Sequence, residues 1–158
     1  MQFNTGMKTI KGVVAAVVLA CAAPVQAADY GIGIDLIRVI DQNQDDGMFN
    51  VFVQAPAGAG ALYAAYASGD NLNIVELAYK HYLGGRMNGA FFQAGVGYYD
   101  GNNDDDLGFV GAFGYERKLA KHFAVSGAVR MVAGVDENLI GYRETPVYQP
   151  VLGFMLAF

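Results

Sequence analysis

The C-terminal segment of the chain alternates large apolar side chains with smaller or polar ones. From position 148 onward the large apolar positions recur at every second residue, interrupted once by Pro150: Tyr148, Leu152, Phe154, Leu156 and Phe158. Successive side chains of a β-strand point to opposite faces, so this spacing gives the strand one apolar face. A strand of this kind that ends on an aromatic residue is typical of the lipid-facing wall of a membrane β-barrel.

The same alternation, interrupted by turn residues, divides the rest of the chain into further strands. Most of these segments have roughly the 9–11 residues that a tilted strand needs to cross the hydrocarbon layer. The eight predicted strands cover residues 30–40, 48–55, 61–68, 71–83, 89–99, 107–119, 123–135 and 147–158.

The connections between these strands differ at the two ends of the predicted sheet. One set of connections carries 11 of the 15 acidic residues: Asp41, Asp45, Asp46, Asp70, Asp100, Asp104, Asp105, Asp106, Asp136, Glu137 and Glu144. The other set and its margins carry Arg86, Arg117, Lys118 and Lys121. An even number of strands with both termini on the short-turn side fits a barrel whose longer, acidic loops face out of the cell and whose termini are periplasmic.

The two faces of each strand indicate what surrounds the barrel. In the strand 107–119, Leu107, Phe109, Phe113 and Tyr115 share one face, and charged and amide groups fall on the opposite face here and in the neighbouring strands. A soluble ligand-carrying barrel would keep its apolar face inside, whereas here the broad face lacks charge, which favours a hydrocarbon surround. We therefore predict an all-β fold, an eight-stranded antiparallel up-and-down transmembrane β-barrel; a soluble periplasmic barrel or sandwich is the alternative.

The N-terminal residues 1–27 have the organisation of a cleaved signal peptide. Lys8 and Lys11 precede an apolar run over residues 13–23, which is shorter than the roughly 20 residues of a membrane-spanning helix. Small residues end the segment and predict cleavage before Ala28, which leaves a barrel domain over residues 28–158. Cys21 also lies in a sequence resembling a lipoprotein cleavage site, so lipidation of Cys21 is a second possibility.

Charge and cysteine content argue against nucleic-acid binding and against disulfides or metal sites built on cysteine. Outside the predicted signal, 8 basic residues stand against 15 acidic ones, a net charge of −7 that argues against binding nucleic acid. Cys21, the single cysteine, lies within the signal, so the predicted barrel has no disulfide and no cysteine-based metal site.

In strand number, loop asymmetry and C-terminal strand, the chain resembles the small eight-stranded outer-membrane barrels of the OmpA/OmpX type, over the whole of residues 28–158. In such proteins the barrel-assembly machinery reads the last strand through a glycine and spaced apolar residues ending in an aromatic, which Gly153, Leu156 and Phe158 match. Val151 departs from the polar residue usual before that glycine. The resemblance implies outer-membrane lipid and lipopolysaccharide as surroundings in a Gram-negative cell envelope, but many functions share this architecture.

Five ionisable side chains are predicted to point into the barrel: Asp35, Glu76, Lys80, Glu116 and Arg130. Eight strands leave an interior just filled by side chains, so these charges must pair with one another or with trapped water. Their heights along the strands predict that Arg130 bridges Asp35 and Glu76 and that Lys80 reaches Glu116. A static plug is the first interpretation of this network, and a narrow, porin-like ion path is the alternative.

Two acidic loops share a spacing of oxygen-bearing side chains. The spacing is Asp41-x-Asn43-x-Asp45 in one loop and Asp100-x-Asn102-x-Asp104 in the other. Alternating oxygen ligands suit a hard cation, although Phe52 stands where a calcium loop would have its closing glutamate. We expect solvated loops, with weak surface binding of Ca²⁺ or Mg²⁺ as the alternative and no other cofactor.

Residues suited to catalysis are few. His81 and His122 fall toward the periplasmic end, and Ser126 has no histidine at its own height, so no general base is placed beside a nucleophile. Arg38 and Arg143 are expected at the outer rim and in the last loop, where a guanidinium can meet lipopolysaccharide phosphates.

These observations predict a monomeric outer-membrane barrel with a non-enzymatic role, either structural or in surface interaction. The first alternative is a narrow pore through the barrel. The second is an outer-leaflet lipid-modifying enzyme.

Overall fold

The computed structural model describes residues 30–141 and 146–158. The predicted signal with Cys21, as well as Glu144 and Arg143 in the last loop, lies outside the described residues. The strands are β1 (Gly31–Asp35), β2 (Phe49–Ala57), β3 (Gly60–Ser68), β4 (Leu72–Tyr82), β5 (Asn88–Gly101), β6 (Asp105–Ala120), β7 (Phe123–Ala133) and β8 (Val147–Ala157). Two short helices are α1 (Leu36–Ile40), which follows β1, and α2 (Glu137–Ile140), which follows β7.

The eight strands form a closed barrel, because each pairs antiparallel with the next and β1 pairs with β8. This confirms the predicted all-β, eight-stranded antiparallel barrel. The bounds of β2 to β8 agree with the predicted spans to within two residues at either end. Tyr30 and Phe158 exchange backbone hydrogen bonds of 3.1 and 3.0 Å beside the β1–β8 pair.

The connections separate the barrel into two ends. At one end, here called the turn end, short segments at residues 58–59, 83–87 and 121–122 join the strands. At the other, here called the loop end, the connections are 41–48, 69–71, 102–104 and 134–146, and they hold most of the acidic residues.

Side chains alternate between the outside and the lumen along each long strand. In β6, Leu107 and Phe113 are each 63% exposed, whereas Val110 and Glu116 are buried. The predicted facing of this strand is therefore confirmed, and the same alternation holds through β4 and β5.

The first strand is shorter than the sequence predicts. The prediction of a strand through residue 40 is wrong beyond Asp35, where the chain turns into α1. The Asp35 side chain accepts a hydrogen bond of 3.1 Å from the Ile37 backbone N–H and so caps the helix.

Formation of α1 changes the direction in which the Arg38 side chain points. Strand alternation continued from the exposed Ile34 would place Arg38 on the apolar outer face. The turn of α1 instead brings Arg38 into the lumen, where it is 3% exposed, and leaves Val39 and Ile40 exposed. The expectation that Arg38 is a rim residue is thus wrong.

The end of β7 also differs from the prediction. Alternation continued from the exposed Val129 through the predicted strand 123–135 would place Val135 on the outer face, but β7 ends at Ala133, and Gly134 adopts a left-handed φ of +78°. This turn directs Val135 inward, where it is buried.

The lumen is not uniformly polar. A buried apolar cluster fills its loop-end half: Met48, Ala67, Leu72, Ile74, Tyr99, Val132, Val135, Ile140 and Val147. Two smaller apolar clusters lie further toward the turn end, around Phe52 and around Phe91. An eight-stranded barrel is too narrow for a water-filled channel, so apolar side chains pack wherever charge is not needed.

Candidate functional site

The candidate site is the belt of buried polar side chains that crosses the lumen between these apolar clusters. All five charged residues predicted to face inward are buried in it: Asp35, Glu76, Lys80, Glu116 and Arg130. The belt divides into two groups, an upper one nearer the loop end and a lower one nearer the turn end.

Glu76 is the centre of the upper group. Its Oε1 accepts a hydrogen bond of 2.7 Å from Arg38 Nη2, and Arg130 Nη1 lies 4.0 Å from the same oxygen. Arg130 Nη1 also lies 3.6 Å from Asp35 Oδ2. Gln149 Oε1 orients the guanidinium of Arg130 by accepting bonds of 3.1 and 2.9 Å from its Nε and Nη2. The structure thus brings Arg130 between Asp35 and Glu76, as the strand heights predict.

Glu116 is the centre of the lower group. It forms an ion pair with Lys80 Nζ and accepts hydrogen bonds of 2.7 Å from the Tyr82 hydroxyl and 3.2 Å from Gln54 Nε2. Lys80 Nζ also donates to Gln54 Oε1 at 3.3 Å and lies 4.0 Å from the centre of the Phe91 ring. Lys80, Tyr82 and Gln54 therefore all bind the Glu116 carboxylate directly.

The charges of the belt balance. The upper group holds Asp35 and Glu76 against Arg38 and Arg130, and the lower group holds Glu116 against Lys80. A buried carboxylate is tolerated when a cation and hydrogen bonds compensate for its lost hydration, and both groups meet this condition.

The upper group leaves more hydrogen-bonding capacity unused than the lower one. Asp35 Oδ2, Arg38 Nε, Glu76 Oε2 and the Tyr99 hydroxyl are buried and have no hydrogen-bond partner among the described residues. The lower group has no such atom.

Several members of the belt could not be identified as such from charge alone. Asn50, Gln54 and Gln149 are buried amides at alternate, inward positions of β2 and β8, and that alternation is the signal that would have located them. Arg38 carried no comparable signal, because its orientation depends on α1.

The two acidic loops, for which weak cation binding was the alternative to simple solvation, are linked through Asn71. Asp45 accepts bonds of 2.7 and 2.9 Å from the backbone and side-chain N–H groups of Asn71 and one of 3.0 Å from Leu72 N. Asn102 donates to Asn71 Oδ1 at 2.8 Å, so Asn71 links the two loops. Partial burial would raise the pKa of Asp45, but the hydrogen bonds from Asn71 and Leu72 outweigh it and hold that pKa below its usual 3.8.

The other candidate ligands are spread around these loops. Asp41 Oδ1 accepts a bond of 3.0 Å from Asn43 N, and Asp104 Oδ1 accepts one of 2.9 Å from Asp105 N. Asp100 lies at the end of β5, where it pairs with Asp105. Within residues 30–141 and 146–158, no group of three or more His, Cys, Asp or Glu side chains is arranged to hold a metal ion.

The residues considered for catalysis do not converge. His81 lies against the Phe92 ring at 5.0 Å between centroids, and His122 Nδ1 is 3.0 Å from the carbonyl oxygen of Ala157. Ser126 pairs with Gly153, and the Ser126 hydroxyl lies so close to this glycine that a Cβ at position 153 would collide with it. These contacts give each of the three side chains a packing role.

The three residues of the predicted assembly signal lie on β8 and at its end. Gly153 is buried and lets the Phe52 ring and Ser126 approach the strand closely. Leu156 and Phe158 are exposed on the outside of the barrel at the turn end. Recognition by the assembly machinery stays a prediction.

In the part of the chain that the structure describes, no helix is long and apolar enough to span a membrane. Comparison with family models, with curated proteins and with solved structures found no match for this chain.

Proposed function

We propose that this chain is a non-enzymatic outer-membrane β-barrel that acts as a structural element or a surface-contact protein of the bacterial envelope. The observation that carries the proposal is the inversion of the usual surface: large apolar side chains cover the outside while the charged ones cross the lumen. Water would not favour such an exterior, because a large contiguous apolar surface of a soluble protein drives association.

The apolar exterior extends around the barrel. Exposed apolar side chains occur on every strand and on α1, among them Ile32, Ile40, Phe49, Leu62, Leu77, Phe92, Phe109, Phe113, Val129, Tyr148 and Leu156. Closure of the sheet adds support, since a barrel without free edges can satisfy its backbone groups in lipid. We accordingly propose that lipid and lipopolysaccharide surround a monomeric barrel.

The two ends differ in charge in a way that supports one orientation. Acidic side chains dominate the loop end, whereas Arg86, Arg117, Lys118 and Lys121 lie at or beside the turn end. In barrels of this kind short turns face the periplasm and longer loops face outward. We propose that the loop end is the extracellular end.

The loop end offers the surface on which a contact role depends. An open pocket of about 420 Å³ lies between the loops, lined by carboxylate and amide groups of Asp45, Asn102, Asp104 and Asp136 together with the apolar Leu139. In the lumen, by contrast, the described residues form balanced ion pairs and packed apolar clusters. This distribution favours surface contact over conduction or catalysis.

The experiment that tests the proposal is fractionation of cells that express the chain, followed by protease treatment of intact cells. We expect the protein in the outer-membrane fraction, extractable only by detergent, and a tag inserted at residues 102–104 accessible to protease, while a tag at residues 58–59 is protected. Recovery as a detergent-free soluble protein would contradict the membrane location, and protection of the first tag with cleavage of the second would contradict the orientation alone.

A further inference from the structure

The exposed basic side chains of the barrel are confined to one part of its surface. Three basic residues of the described chain, Arg38, Lys80 and Arg130, are buried in the lumen, where they pair with carboxylates. The other basic side chains of the described residues lie at the turn end and are partly or fully exposed; we call them the basic rim. Its members are Arg86, Arg117, Lys118 and Lys121.

The basic rim is continuous along the turn end. Lys118 N donates a hydrogen bond of 2.9 Å to the carbonyl oxygen of Met87. This bond holds the connection 83–87, which carries Arg86, beside the end of β6. Lys121 follows directly after β6, in the next turn-end connection. The four basic residues therefore lie side by side on β6 and in the two connections that flank its end.

Three members of the basic rim keep their charge unpaired. In the part of the chain that the structure describes, Arg86, Arg117 and Lys121 form no ion pair with a carboxylate. The exposed acidic side chains of this part lie instead at the loop end. Residues 55–62, which include the third turn-end connection, contain no charged side chain. One side of the turn end therefore carries positive charge that the barrel itself does not neutralise.

An apolar surface adjoins the basic rim on the outside of the wall. Arg117 is exposed on the outer face of β6, the same face on which Phe113 and Tyr115 are 63% and 54% exposed. At about 3.4 Å per residue, the Cα atom of Arg117 lies about 7 Å from that of Tyr115 and about 14 Å from that of Phe113. A ligand that reaches Arg117 with an anionic group can therefore lay an apolar portion along these two aromatic side chains.

We propose that the basic rim binds the phosphate headgroup of an anionic glycerophospholipid whose acyl chains lie against the outer face of β6. A guanidinium binds a phosphate through two parallel hydrogen bonds, and a neighbouring lysine adds charge. A soluble acidic partner would make no use of the apolar wall beside the rim, so the combination favours an amphiphile. The inference rests on the proposed membrane location, and placing this lipid in the periplasmic leaflet rests on the proposed orientation.

The site is tested by quenching of a single tryptophan with lipids that carry brominated acyl chains. The chain has no tryptophan, so Leu119→Trp places one indole on the outer face beside the basic rim. Leu62→Trp is the matched control, because Leu62 is also 59% exposed near the turn end but lies on β3, away from the basic residues. Each variant is placed in phosphatidylcholine vesicles in which a fixed minor fraction of the lipid is brominated phosphatidylglycerol or brominated phosphatidylcholine.

At low salt we expect phosphatidylglycerol to be enriched roughly threefold over phosphatidylcholine around Leu119→Trp, the effect of one or two exposed phosphate contacts. Around Leu62→Trp the two lipids should quench equally. Adding Arg86→Gln/Arg117→Gln to the Leu119→Trp reporter should remove the enrichment. Adding Gln42→Glu/Asn103→Asp, which changes the net charge by the same amount with exposed residues of the loop end, should leave it intact.

Three results would overturn the lipid site while leaving the membrane location in place. They are equal enrichment at both reporters, enrichment that survives Arg86→Gln/Arg117→Gln, and quenching of Leu119→Trp by both lipids to the same extent. If neither reporter were quenched by any brominated lipid, the proposed membrane location would be contradicted and this inference with it.

Discussion

A charge placed on the outer face distinguishes hydrocarbon from water around the barrel. Phe113 lies at the middle of the 16-residue strand β6 and pairs with Phe92 and Val129, both of which are also exposed. In the variant Phe113→Arg the guanidinium would meet only apolar side chains and whatever surrounds the wall. Leu107→Arg is the matched control, because Leu107 is exposed to the same fraction of 63% but lies near the loop end of the same strand.

The expected magnitudes differ with depth. Arginine at the middle of a bilayer destabilises a barrel by about 2–4 kcal/mol, and near the interface by about 0–1 kcal/mol. In water, a substitution at either exposed position changes the free energy of unfolding by about 0.5 kcal/mol or less. Urea unfolding in lipid vesicles, followed by circular dichroism, measures the difference. Similar stabilities for Phe113→Arg, Leu107→Arg and the wild type would refute a hydrocarbon surround.

Four further outcomes follow from the lumen and loops. Glu116→Gln should lower the free energy of unfolding by about 3–5 kcal/mol, because it leaves the buried charge of Lys80 without a counter-charge. In a double-mutant cycle, the variant Lys80→Met/Glu116→Gln should regain most of this stability, and additive losses from the two substitutions would contradict the expectation. Asn50→Ala should cost about 1–3 kcal/mol in chemical unfolding, since two buried backbone groups at the end of β1 lose their partner. Because hydrogen bonds hold the pKa of Asp45 below 3.8, the ionised Asp45 carboxylate stabilises the fold fully above about pH 5, and this stabilisation is lost as the pH falls through the folded-state pKa. The thermal unfolding temperatures of the wild type and Asp45→Asn should therefore converge at low pH, and a difference that stays constant with pH would contradict this reasoning. Planar-bilayer recordings of the wild type and Arg130→Ala should both be silent, whereas conductance that appears on substitution would favour the ion path.

The fold could be predicted from the sequence because the barrel repeats one local rule. Each strand from β2 to β8 alternates its outward and inward residues, and the connections between them carry glycine or acidic residues except at residues 121–122. A slip of one residue would exchange the two faces of a strand, so alternation fixes facing as well as length. Phe113 and Glu116 of β6 show this directly, as the first is exposed and the second buried.

The end of β1 at Asp35 and the helix α1 that follows it could not be predicted in this way, because they depend on contacts between distant parts of the chain. Residues 30–40 alternate well enough to predict one strand, and no local signal favours a helix at Leu36–Ile40. The helix forms where Asn50 binds the end of β1 and Glu76 offers a partner to Arg38. Asn50 lies on β2 and Glu76 on β4, so the alternation of apolar and polar residues along β1 does not reveal these contacts.

The buried charges contribute more to the choice of one register than to stability. A well-packed apolar lumen can be as stable as one with balanced ion pairs, so stability alone does not require Lys80 or Arg130. If β4 or β7 slipped by one residue, however, Lys80 or Arg130 would turn to the outer face and leave its carboxylate partner unpaired in the lumen. In hydrocarbon such a cation costs about 2–4 kcal/mol near the middle of the wall, in addition to the lost pair. Both charge groups connect strands that are not neighbours: Lys80 and Glu116 lie on β4 and β6, and Arg130 and Asp35 lie on β7 and β1. The ion pairs of the belt therefore form together only when the strands of the closed barrel are all in the correct register.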